Sequence, residues 1–299
     1  MTDPSSPGIF DDVDDVVARF DDHDHLLDQG TAAAIHLAVA LGRPLLLEGE
    51  PGVGKTTAAK VLAQILGSPL IRLQCYEGLS VAEALYDWNY QRQLLAIRLA
   101  EARGEVPAEA DLYSEDYLLE RPVLRCVRHR GDRPAVLLVD EIDRADDEFE
   151  ALLLEFLGEF AVTVPELGTL TAARPPVVVL TSNRSRDLHD ALRRRCLYHW
   201  IDFPDRARAV AILRRTVPSA NVALVERATD FVAVARGLDL DKAPGIAETI
   251  DWVSALAALG VADLVRPEAV MSLAALAKTP DDVDALGEAL ATFVSTDVS

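Results

Sequence analysis

Long apolar runs, paired cysteines and an excess of basic charge are all missing from this sequence. No stretch approaches the roughly 18 consecutive apolar residues that a spanning helix needs, so no membrane span is expected. No positively charged segment followed by an apolar one opens the chain, so export is not expected either. The three cysteines, Cys75, Cys126 and Cys196, lie far apart and form no Cys-x-x-Cys pair. That argues against a disulfide scaffold and a cysteine zinc site, and it fits a reducing cytoplasm. Basic residues number 29 against 49 acidic ones, for a formal net charge of -20. The acid is concentrated at the ends: residues 1–30 carry a net -8 and residues 279–299 a net -5. Such a chain does not attract phosphate backbones, so nucleic acid is not an expected partner.

What is present is ample apolar material, 50% of 299 residues, enough for one large domain or two moderate ones. Residues 1–24 read as an acidic, flexible leader with a thin apolar stripe. His23 and His25 sit among aspartates at the end of this stretch and just past it, without closed metal-ligand spacing. "TAAAIHLAVALG" predicts a helix with Thr31 as N-cap and Gly42 as stop. "RPLLLEG" predicts a short buried strand and "PLIRL" the next, which with the loop and helix between them make a parallel βαβ unit. "AVLLVD" (135–140) and "VVVLTSN" (177–183) suit a sheet covered on both faces, and "YHWIDF" (198–203) is a fifth short strand. "DDEFEALLLEFLG" places Phe149, Leu152, Leu153, Phe156 and Leu157 on one helical face, and a hairpin is expected at about 160–172. From about 205 onward only helices are expected. The reading is therefore an α/β core over 25–204 followed by a small all-α domain over 205–299.

"GEPGVGKT" fits G-x-x-x-x-G-K-[ST] without mismatch, between a predicted strand and a predicted helix. Glycines let successive amides turn inward around an anion, and the helix that follows aims its free N–H groups at the same point. Gly49, Glu50, Pro51, Gly52, Val53, Gly54, Lys55, Thr56 and Thr57 are thus candidates to bind ATP, with Lys55 on the phosphates. Downstream, "AVLLVDEID" ends a strand in Asp140-Glu141. Asp140 and Thr56 are the candidate holders of Mg²⁺, and Glu141 is the candidate general base. Asn183 ends a later strand, where its amide could orient water.

This order of phosphate loop, acid-pair strand and polar strand end resembles the AAA+ ATPases. "LHDALRRRCLYHW" is similar to the box that carries their arginine finger, which implies Arg195, with Arg194 second, as the residue given to a neighbouring subunit's site. "LIRLQCYEGLSVAEALYDWNY", "LLVDEIDRADDEFEALLLEFLGEFAVTVPELG" and "KAPGIAETIDW" resemble MoxR-type members. Among these, the subgroup with accessory ATPases of carbon monoxide dehydrogenase looks most alike. The resemblance covers about residues 25–260. It implies an AAA+ P-loop core with a parallel five-stranded sheet, an insert at about 75–95, the hairpin, and a helical lid. It further implies a ring homo-oligomer, usually a hexamer, a von Willebrand factor A-domain partner and a metalloenzyme client that is matured or activated. One departure stands out: Gly245 occupies the place of the lid arginine of relatives, which leaves Lys242 as the candidate substitute.

Within the insert, Ser80 to Glu83 spell a capping box, and Trp88 and Tyr90 suit either packing or client contact. Two rival functions share the phosphate loop: a small-molecule phosphotransferase and a non-hydrolysing, nucleotide-gated scaffold.

Overall fold

The computed structural model describes residues 9–106 and 108–297. The stretch before residue 9, which opens the leader, lies outside them. In chain order the elements are α1 (Val13–Asp21), α2 (Gln29–Leu41), β1 (Leu45–Gly49), α3 (Lys55–Ile65), β2 (Leu70–Gln74), α4 (Val81–Ala84), β3 (Tyr86–Trp88) and α5 (Tyr90–Ala102). There follow α6 (Glu109–Leu112), β4 (Leu118–Glu120), α7 (Pro122–Val127), β5 (Val136–Asp140), α8 (Asp147–Glu159), β6 (Ala161–Val164), β7 (Gly168–Thr171) and β8 (Val177–Ser182). The last are α9 (Asp190–Arg195), β9 (Leu197–Ile201), α10 (Arg206–Thr216), α11 (Val222–Ala235), α12 (Ile246–Ala258), α13 (Pro267–Met271) and α14 (Pro280–Asp297).

Five strands form one sheet in the order β2-β5-β8-β1-β9. Leu45 lies opposite Val179, Val136 opposite Val177 and Leu70 opposite Val136, all in parallel pairs. Every residue of β1 and β5 is buried, as strands covered on both faces require. The chain divides into two compact units. One comprises the residues up to His23 with Leu27–Glu48 and Thr56–Trp200; the other comprises Asp24–Leu26, Gly49–Lys55 and the chain from Ile201 on.

In the first unit the core gathers Leu137, Val139, Val178 and Leu180 of the sheet with Phe149, Leu153, Phe156 and Leu157 of α8. The helical stripe expected for α8 supplies four of those contacts. The second unit packs Leu213, Val225, Phe231, Leu256 and Leu286 around Trp252. The fully buried Trp252 indole donates to Ser272 Oγ at 2.9 Å, so its polar atom is satisfied.

Several local expectations change. Asp28, not Thr31, caps α2; its carboxylate accepts from Thr31 N at 2.8 Å, and Thr31 lies two residues inside the helix. Aspartate is an equally good cap, and it reaches the free amides from one turn earlier. Residues 10–21 of the acidic leader pack: Phe10, Val16 and Phe20 are buried, and α1 is capped by Asp12. The region after β2 is larger than the stretch at 75–95. It opens with the expected Ser80–Glu83 capping box and runs through the β3–β4 pair to Glu120. There Trp88 is buried, edge-on to Tyr113 at 5.2 Å, whereas Tyr90 is 62% exposed. Helix α5 reverses the usual pattern, with Gln93 buried and Leu94, Leu95 and Leu99 exposed. Gln93 Nε2 donates to Leu112 O, which explains its place inside. The β6–β7 hairpin lies within the span expected for it.

Candidate functional site

β1 delivers the chain into the glycine-rich turn, and α3 starts at Lys55. Gly52 has φ +80 and Gly54 φ +100, conformations that side-chain-bearing residues rarely adopt. Lys55 is buried, and its Nζ donates to Gly49 O at 2.6 Å and Glu50 O at 2.8 Å. The ammonium is thus folded back onto carbonyls of its own loop. Thr57 and Glu50 are exposed, and Pro51 and Val53 are half-buried.

In the unit that holds the sheet, Thr56 Oγ1 donates to Asp140 Oδ1 at 2.8 Å across 84 residues of sequence. Thr181 Oγ1 donates to the same oxygen at 2.6 Å. Arg72, from β2, reaches the other oxygen of Asp140 with Nε at 3.0 Å and Nη2 at 2.6 Å. Asp140 is 2% exposed. A threonine hydroxyl against a carboxylate is an all-oxygen pair, the donor chemistry that a hard cation such as Mg²⁺ takes. Among the described residues, no group of three or more His, Cys, Asp or Glu side chains could hold a metal by itself.

Glu141 stands immediately past β5 with φ +57. Its N–H is held by Thr181 Oγ1 at 2.9 Å, and its Oε2 accepts from Gln74 Nε2 at 3.1 Å and forms an ion pair with Arg144 Nε at 3.0 Å. Asn183 follows β8, half-buried, with its N–H on Asp143 Oδ2 at 3.2 Å. Asp143 also binds Ser185 N at 2.8 Å and Ser185 Oγ at 2.7 Å, so it anchors the turn that carries Asn183. Asp146 caps α8. Beside this cluster, burial pushes the Cys75 thiol up to about 12, and the negative charge of Asp140 adds to the effect.

The arginines of α9 have separate surroundings. Arg193 Nη2 pairs with Glu48 Oε2 at 3.1 Å; Glu48 is 1% exposed and also accepts from Ser182 Oγ. Arg194 and Arg195 are exposed, and Arg195 Nη1 donates to Leu154 O of α8 at 2.7 Å. Arg43 Nη2 braces the backbone carbonyls of both.

In the other unit the glycine-rich turn meets the start of α12. Ala247 N donates to Gly52 O at 3.3 Å. A Cβ on Gly245 would lie 2.7 Å from Pro51 O and 3.1 Å from Gly52 Cα. The departure at Gly245 therefore has a steric reason: the backbone of the turn fills the space a side chain would need. Glu248, on α12, accepts from Gly245 N at 3.1 Å and carries two lysines, Lys242 at 4.0 Å and Lys278 at 3.8 Å. His25 lies 3.7 Å from where a Cβ of Gly54 would be. Burial lowers its pKa, and the nearby Arg208 charge lowers it further.

Sequence reasoning missed Arg72, Gln74, Thr181, Glu248 and Lys278. Arg72 and Gln74 were open to detection, as two polar residues at alternate positions on a strand whose other face, Ile71 and Leu73, is buried. No local pattern marks Glu248 and Lys278, which meet only through folding.

Residues 44–196 match the AAA domain (dynein-related subfamily). The chain is 27% identical over 197 residues to Protein NorQ of Paracoccus denitrificans (strain Pd 1222), a match covering 63% of this chain and 64% of that protein. The chain thus spans just under two thirds of that relative's length. A crystal structure from Cytophaga hutchinsonii aligns at TM-score 0.47 and 17% identity, over 92% of this chain and 83% of that one. A RuvB variant from Thermotoga maritima aligns at TM-score 0.46 and 18% identity, over 81% of this chain and 65% of that one. No helix among the described residues is long and apolar enough to cross a membrane.

Proposed function

The chain belongs to the AAA domain family, dynein-related subfamily, and from that premise we propose that it hydrolyses ATP with Mg²⁺ and works as a ring-shaped, MoxR-type remodeller of a partner protein. The observation that carries this reading is the contact of Thr56 Oγ1 with Asp140 at 2.8 Å. It brings the hydroxyl that follows the phosphate-loop lysine onto the carboxylate at the end of β5. Bound Mg²⁺ would supply charge neutralisation on the triphosphate oxygens.

The chain's own residues do the rest. Lys55 leaves the carbonyls of Gly49 and Glu50 for phosphate oxygens, and the amides of Glu50 and of Gly52 to Thr57 bind the remainder. Glu141 takes the proton of the attacking water, and Asn183 orients that water. Arg195, exposed on α9, serves the site of a neighbouring copy, with Arg194 second; a head-to-tail ring, a hexamer in this reading, suits that arrangement. Lys242 takes the place of the lid arginine. The client is a metalloenzyme, reached with a von Willebrand factor A-domain protein in the cytoplasm; this part rests on the MoxR resemblance alone.

Glu141→Gln tests the chemistry. It should keep ATP affinity and lower turnover by about 10²-fold or more, the range for loss of a general base. Wild-type turnover in this variant would remove Glu141 from the role. Mixing Arg195→Ala with Lys55→Ala subunits tests the ring, since some interfaces would then hold both intact residues. Turnover that stays absent on mixing counts against a finger supplied by a neighbour. Turnover independent of protein concentration would favour a phosphotransferase, and ATP binding without turnover in any assembly a scaffold.

A further inference from the structure

A carboxylate offers about four lone-pair positions, and all four on Asp140 meet donors. Two are neutral hydroxyls on Oδ1, from Thr56 at 2.8 Å and Thr181 at 2.6 Å. The other two are the Nε and Nη2 of Arg72 on Oδ2, at 3.0 Å and 2.6 Å. Any cation or cation-bound water that uses Asp140 must therefore displace a donor. A hydroxyl can turn and accept instead, but a guanidinium has no lone pair to offer. Two positive charges on one buried carboxylate also repel, whereas a hydroxyl beside a cation does not.

Arg72 has somewhere to go. Its side chain is 47% exposed, against 3% for that of Asp140. It is not a wall of the site but an arm laid over it from β2. The same guanidinium donates through Nη2 to Gln74 Oε1, and Gln74 Nε2 in turn donates to Glu141 Oε2 at 3.1 Å. Arg72 and Gln74 are two residues apart on one strand and face the same acid pair, Asp140 and Glu141. One arm thus rests on the metal-holding acid and, through one amide, on the acid assigned to water.

We propose that Arg72 competes with divalent metal for Asp140, so that metal loading requires release of Arg72 and loosens the Gln74 hold on Glu141. The inference rests on the reading of this site as a Mg²⁺–nucleotide site. It makes Arg72 a positioning residue that acts through Asp140 and sets the metal concentration at which the site loads.

The direction of one shift separates this from a merely supporting role. A residue that only orients a metal ligand makes metal binding about 10–100-fold weaker when removed. A competitor makes it tighter. The experiment titrates Mg²⁺ into purified full-length protein with a fluorescent ADP analogue, and a parallel arm in EDTA measures metal-free nucleotide affinity. Arg72→Met should lower the half-saturating Mg²⁺ concentration by about tenfold, the lower end of that range with its sign reversed, and leave metal-free affinity unchanged. Arg72→Lys keeps the charge without the two-pronged contact and should fall between wild type and Arg72→Met. It also serves as the second variant if Arg72→Met fails to fold.

A half-saturating concentration that is unchanged or raised in the variants overturns the proposal, even though nucleotide still binds. Absence of nucleotide binding by the wild type in both arms removes the functional reading itself, and this inference with it.

Discussion

Gly245→Ala adds one methyl group where the phosphate turn and α12 meet. Gly245 has φ -81, so alanine adopts its backbone freely and the whole cost is steric. The new Cβ would lie 2.7 Å from Pro51 O, 2.9 Å from Glu248 Oε2 and 3.1 Å from Gly52 Cα. Glu248 can swing aside, but the other two atoms are backbone and yield only if the turn moves. Overpacking of this kind costs about 1–3 kcal/mol. Against it stands about 0.4–1 kcal/mol from the less flexible unfolded chain. The difference of those two terms runs from about 0 to 2.6 kcal/mol, with a middle value of about 1.3 kcal/mol of net destabilisation.

Gly42→Ala is the matched control. Nothing lies within 4 Å of its Cβ, but φ is +61, so its cost of about 1–2 kcal/mol comes from the backbone alone. Urea unfolding gives both stabilities, and a fluorescent ADP titration gives both affinities. Similar losses of stability are expected, with weaker nucleotide binding in Gly245→Ala only. If Gly245→Ala matches wild type in both measurements, the turn is not confined by α12 and the steric account of Gly245 is wrong.

Arg193→Met strands Glu48, which is 1% exposed, with Ser182 as a remaining donor. The loss should be about 2–3 kcal/mol by urea unfolding, below the usual 3–5 for a fully buried pair because Arg193 is 30% exposed. Glu48→Gln with Arg193→Met should recover much of it; a double variant no better than the single would refute the pairing. Burial pushes the thiols of Cys75, Cys126 and Cys196 up to about 12, so none should react with Ellman's reagent at pH 8 until the protein unfolds. One fast-reacting thiol in the native state would contradict this. His25 titrates below its ordinary 6.5, so the unfolded chain binds its proton at a higher pH than the folded one. His25 therefore adds a stability that is complete above 6.5 and is lost as pH falls through the lowered folded pKa. His25→Gln should flatten the fall in urea stability just below pH 6.5; an unchanged slope would remove His25 as its source.

The parts of the fold that were legible in sequence are those whose signals are local. The five strands are short apolar runs between turn residues, and the sheet of β1, β5 and β8 follows from them. The extent of the region after β2 was not legible, because α5 turns its leucines outward and buries Gln93, against the pattern by which helices are found. Thr31 looked like a cap because the alanine run starts beside it, yet Asp28 lies one turn earlier and accepts from the N–H of Thr31 itself. The site divides in the same way. Gly49 to Thr56 and Asp140-Glu141 are contiguous motifs with a stated chemistry. Arg72 reaches Asp140 across 68 residues, and Lys278 reaches Glu248 from the bend before α14, so neither leaves a trace in a window of sequence.

Glu141 occupies a backbone region that glycine enters freely and that other residues enter at about 1–2 kcal/mol. Two selections applied to position 141 should therefore part company. A library sorted only for resistance to protease or heat should enrich glycine or asparagine there. One sorted for phosphate release should hold on to the acid. If Glu141 has the proposed role, the distance between the two winners would measure how much thermal robustness this chain forgoes at a single codon to keep that carboxylate.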